Sequence, residues 1–101
     1  MRLSSEQRQV IQAATTACFG PDATVRLFGS RVDDSARGGD IDLLINTSMT
    51  DPSDIVRAEI AFQSRVQQAL GEQRIDLLID YPSRNERPPI FRVAAHTGVA
   101  L

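Results

Sequence analysis

The chain has 101 residues, 11 basic groups against 13 acidic ones for a net charge of −2, 42% hydrophobic residues and 5% aromatic ones. This length and balance predict one folded domain over 1–101, and the weak negative charge excludes a general binder of duplex DNA, which concentrates basic groups on one face. Every basic side chain except His96 is arginine, which removes a Schiff-base lysine and a P-loop lysine from the available chemistry. So small a domain has little material to wrap a ligand, and a partner is expected to complete its site.

Cys18 is the single cysteine, so no internal disulfide forms, and no Cys/His cluster is spaced for zinc. The apolar runs are too short for a membrane span and the opening MRLSSEQRQ is polar. A cytoplasmic protein with no membrane association is expected.

In chain order, Ser4 or Ser5 followed by Glu6 and Gln7 starts a helix at about 5–18, with Val10, Ile11, Ala14, Ala17 and Cys18 as its apolar stripe and Gly20-Pro21 as its end. Thr24 to Phe28 alternates as a strand and runs into the turn Gly29-Ser30. After a polar stretch holding Gly38-Gly39, Asp40 to Ile45 forms a second strand. Asp51-Pro52-Ser53-Asp54 starts the longest helix, with Ile55, Phe62 and Val66 at helical spacing and Gly71 at its end. Arg74 to Asp80 forms a third strand, and Pro88-Pro89 opens a short last helix from about Ile90 to His96. This order predicts an α+β (α/β) fold, a small mixed sheet with helices packed on one face.

Two strands share one pattern, Asp40-Ile41-Asp42-Leu43-Leu44-Ile45 and Arg74-Ile75-Asp76-Leu77-Leu78-Ile79-Asp80. In each, the odd-numbered aliphatic residues point to one face and the acids to the other, so Asp40 and Asp42 lie about 6.5–7 Å apart at Cα. Asp76 joins them if the strands are neighbours, and Asp80 shares its face. Carboxylates so placed repel unless a cation lies among them, and magnesium, an oxygen-seeking ion, suits the donors. Gly29-Ser30 precedes the pair in the spacing Gly-Ser-x9-Asp-x-Asp, and a small residue plus a hydroxyl at a turn can meet phosphate oxygens.

At these residues the chain resembles the DNA polymerase β superfamily of nucleotidyltransferases, and in its brevity the minimal nucleotidyltransferases. The match is Phe28-Gly29-Ser30-Arg31, Gly39-Asp40-Ile41-Asp42-Leu43-Leu44-Ile45 and Arg74-Ile75-Asp76-Leu77-Leu78-Ile79, with a similar closing segment from Ile90 to Leu101. The resemblance implies a polymerase β-like fold in which Asp40, Asp42 and Asp76 are catalytic and hold two magnesium ions, with Asp76, rather than Asp80, next to the attacking hydroxyl. It implies that Gly29 and Ser30 bind the β- and γ-phosphates of a nucleoside triphosphate, with Arg31 a further phosphate contact. It also implies transfer of AMP from ATP to a HEPN-like toxin, as the antitoxin of a toxin–antitoxin pair, with oligomer formation compatible. Two other readings are a non-catalytic module that occludes its partner, and nucleotidyl transfer to RNA or a small molecule. His96, Cys18 and Tyr81 are expected in structural roles.

Overall fold

A computed structural model describes residues 3–29 and 40–101. Helix α1 (Ser5–Phe19) starts at Ser4, whose hydroxyl accepts from the Gln7 N–H while the Gln7 side chain accepts from the Ser4 N–H, a reciprocal capping box. Strand β1 (Thr24–Phe28) leads into Gly29, and β2 (Ile41–Asn46) runs antiparallel to it. Helix α2 (Pro52–Leu70) is capped by the Asp51 carboxylate on the Ser53 N–H, with Pro52 in the first turn, where its missing N–H costs nothing. Strand β3 (Ile75–Asp80) follows and pairs parallel to β2, as a strand–helix–strand crossover requires. Helix α3 (Pro89–Thr97) ends the regular structure together with β4 (Val99–Ala100), which pairs antiparallel with β1. The sheet order is β3-β2-β1-β4.

The sheet buries its two faces unequally. Toward α1 and α2 lies the larger core, built from Ile11, Phe19, Leu27, Ile41, Leu43, Ile45, Phe62 and Val66 among others, with the Phe19 and Phe62 ring centroids 6.0 Å apart. Thr47 serves this core as a buried polar link, its hydroxyl donating to the Phe19 carbonyl at 2.7 Å. On the opposite face a smaller cluster joins Phe28 of β1, Leu44 of β2 and Phe91 and Ala94 of α3, with Leu78 of β3 packed against it. The predicted α+β class is therefore the observed one. The single covered face holds for α1 and α2 only, because α3 packs on the other side. The reason is visible in the strands: Phe28, Leu44 and Leu78 share the parity of the acids, and three apolar side chains on that face recruit a helix to cover them.

The tail Val99-Ala100-Leu101 is held against β1. Its strand pairs with Arg26 and Leu27, and the Leu101 N–H donates to the Val25 carbonyl at 3.1 Å. Arg26, on the α3 side of β1, donates from Nη2 to the Gly98 carbonyl and so ties the end of α3 to the sheet.

Candidate functional site

Strand pairing decides which acids meet. The parallel register sets Asp42 opposite Asp76, and the antiparallel register sets Asp42 opposite Phe28, the residue before Gly29. Asp42 is half-buried and Asp76 exposed. Burial pushes the Asp42 carboxyl above its ordinary value of 3.8, the charges of Asp76 and Asp40 push it the same way, and so does a hydrogen bond shared with Asp76. All of these effects favour the uncharged form of the Asp42 carboxyl.

Asp40 precedes β2 and turns toward Arg74, the residue before β3, with 3.7 Å between Oδ2 and Nε. Both side chains are largely exposed, so the pair contributes little to stability, but it gives Asp40 a cationic neighbour. Asp80 lies in a different place. It is opposite Asn46, about 13 Å along the strand from Asp76, and its Oδ1 accepts from Arg87 Nε at 2.7 Å. Arg87 also donates to the Tyr81 and Arg84 carbonyls, so this ion pair closes the loop between β3 and α3. Of the two candidate third carboxylates, Asp76 is the one beside Asp42.

Gly29 completes the close approach. Its φ of +76° lies in the left-handed region, and a Cβ there would overlap Asp42 Oδ2. Only glycine lets the backbone after β1 lie against that carboxylate. Ser30 and Arg31, the other two candidate phosphate contacts, lie outside the described residues.

The acids open onto a cleft of about 530 Å³ lined by Phe28, Gly29, Asp42, Asp76 and Leu78 on the sheet and by Ile90, Val93 and Thr97 on α3. The α3 wall was not legible as a site from sequence. Its signal is the spacing of α3 itself: Phe91 and Ala94 point into the sheet, while Ile90 and Val93, one position before each, project over the cleft and stay 44% and 50% exposed.

Among the described residues, no group of three or more His, Cys, Asp or Glu side chains is gathered at metal-binding spacing, and no helix is long and apolar enough to cross a membrane. The donor set nonetheless suits a hard divalent cation. It consists of carboxylate oxygens, two of them drawn into register, with a glycine backbone leaving room beside one. Comparison with protein-family models gives no match for the chain, and comparison with curated proteins gives none either.

Proposed function

We propose that this chain is a magnesium-dependent nucleotidyltransferase that moves AMP from ATP onto a hydroxyl of a partner protein, the partner being a HEPN-like toxin and this chain its antitoxin. The observation that carries the reading is the in-register meeting of Asp42 and Asp76 against the backbone of Gly29, at the floor of an open cleft. The partner class rests on the resemblance of the Gly-Ser and Asp-x-Asp segments to minimal nucleotidyltransferases.

Asp40, Asp42 and Asp76 would hold the magnesium, which when bound offsets the triphosphate charge and makes the acceptor hydroxyl more acidic. Asp76, the exposed member of the pair, accepts the proton of that hydroxyl. The freed oxygen forms its bond to the α-phosphorus as the bond from that phosphorus to the α,β-bridging oxygen breaks, and pyrophosphate leaves with the electron pair. Gly29 and Ser30 are assigned the β- and γ-phosphates, with Arg31 a further phosphate contact. Ile90 and Val93 keep water from one side of the cleft.

A second reading, the occluding module, draws support from the same two side chains, since partly exposed apolar residues at a cleft rim suit burial by another protein. Intact-mass analysis separates the two. The protein is mixed with the product of the neighbouring reading frame, ATP and magnesium, and the partner is weighed. A gain of one AMP unit that disappears in Asp42→Asn and Asp76→Asn supports transfer. Tight association with no mass change supports occlusion, and transfer that survives both substitutions overturns the assignment of the acids.

A further inference from the structure

Among the described residues, strand β3 lies at one edge of the sheet, with β2 as its one neighbour. The Ile41 N–H donates to the Arg74 carbonyl and the Thr47 N–H to the Asp80 carbonyl, so the even-numbered residues of this segment turn their backbone groups toward β2. In a parallel ladder a residue directs its N–H and C=O to the same side, so Ile75, Leu77 and Ile79 turn theirs outward. Gln63 of α2 reaches down to the Ile75 carbonyl at 2.9 Å and closes that end. Among the described residues, the outward N–H and C=O of Leu77 and Ile79 have no partner.

These groups open on a groove of about 260 Å³ between α2 and the β3–α3 loop. Its α2 side is lined by Pro52, Ile55 and Val56, the last 54% exposed, with the Glu59 side chain beside them. On the loop side the Arg84 guanidinium lies 4.4 Å from the Phe91 ring centroid, and its buried Nε has no hydrogen-bond partner. An unblocked edge of this kind is a template for another strand. An antiparallel twin centred on Leu78 would pair all four outward groups, but it would set the exposed Asp76 beside the twin's Asp80, whose charge Arg87 already satisfies, and so gives Asp76 no cationic or hydroxyl partner across the pair.

Charge complementarity asks instead for an extended segment whose residues alternate, apolar toward Val56 and hydroxyl-bearing or basic opposite the exposed Asp76. We infer that the outer edge of β3 docks such a segment of the acceptor protein as a fifth strand and sets its hydroxyl beside Asp76. Cross-strand neighbours have Cβ atoms about 4.5–5.5 Å apart, which is within reach of the carboxylate. The identity of the hydroxyl rests on the nucleotidyl-transfer reading, whereas the docking itself does not.

The test uses the full chain without nucleotide and, as probe, the end-blocked peptide Val-Lys-Val-Lys-Val-Thr, whose threonine falls opposite Asp76 when its second and third valines pair antiparallel with Ile79 and Leu77. Its control carries proline in place of those two valines. Saturating peptide is expected to slow amide exchange at Leu77 and Ile79 about tenfold, with no effect from the control. Val56→Asp, a change at an exposed helix position that leaves the strand intact, is expected to weaken peptide binding about tenfold. Unchanged exchange at Leu77 and Ile79 overturns the proposal, and so does protection confined to the β4 edge. Protection that appears without peptide and grows with protein concentration assigns the edge to a second copy and overturns it as well. With magnesium and ATP added, protection without AMP on the threonine sinks the transfer reading and leaves the docking standing, while AMP transfer without protection sinks the docking alone.

Discussion

Asp42 is the residue on which stability and chemistry pull in opposite directions. Its carboxyl is raised above 3.8 by burial first and then by Asp76 and Asp40. Between that ordinary value and the raised one the folded chain holds more protons than the unfolded chain, so stability falls as pH rises through this window, and the penalty is complete above it. Asp42→Asn removes the penalty. In chelator at neutral pH the variant is expected to unfold at a higher temperature than the parent, with the two midpoints converging as the pH is lowered toward the ordinary carboxylate value. Equal midpoints at neutral pH would contradict this account. Gly29 is the companion case. Gly29→Ala puts a Cβ at φ +76° and against Asp42 Oδ2, which is expected to cost about 1–2 kcal/mol in urea unfolding. The displaced carboxylate should also titrate closer to its ordinary value, as followed by NMR.

At the scale of elements, local chemistry sets the ends and tertiary pairing sets the faces. Ser4 supports the first turn of α1 through its side chain, and Ser4→Ala is expected to cost about 1 kcal/mol in denaturant unfolding while leaving the cleft unchanged, because α1 lies on the far side of the sheet. Signals of this kind made both long helices and all three principal strands legible: Ser4 with Gln7, Asp51 with Pro52, and Gly71 after α2 are each local. The side on which α3 packs was not read, although Leu44 and Leu78 break the polar character of the acid face and mark it as half-covered. Strand β4 has two residues and no period to read. At the site, Asp42 and Asp40 follow from strand alternation, whereas the choice between Asp76 and Asp80 depends on the β2–β3 register, which is a property of two segments together. The close approach of Gly29 to Asp42 is likewise a matter of β1–β2 pairing that no single segment contains.

The whole molecule has two cores of unequal weight on one sheet. The larger holds Phe62, fully buried against Phe19, while the smaller rests on four buried residues, of which Phe91 is the largest that α3 supplies. Phe62→Ala is expected to cost about 3–5 kcal/mol, a large share of the roughly 5–15 kcal/mol that holds a domain together. The unequal cores also imply an order of assembly. The segment from β2 through α2 to β3 closes over short stretches of chain, whereas β4 must return to β1 across most of the sequence, from Ala100 to Arg26. That long loop is closed at the greatest entropic cost. In stopped-flow refolding, Phe62→Ala is therefore expected to slow the folding arm of the chevron, and Phe91→Ala to speed the unfolding arm while leaving folding nearly unchanged. On this order of assembly the two acids would meet when β2 and β3 pair, before α3 docks, so the folding transition state would carry the carboxylate pair in register beneath an uncovered apolar sheet face.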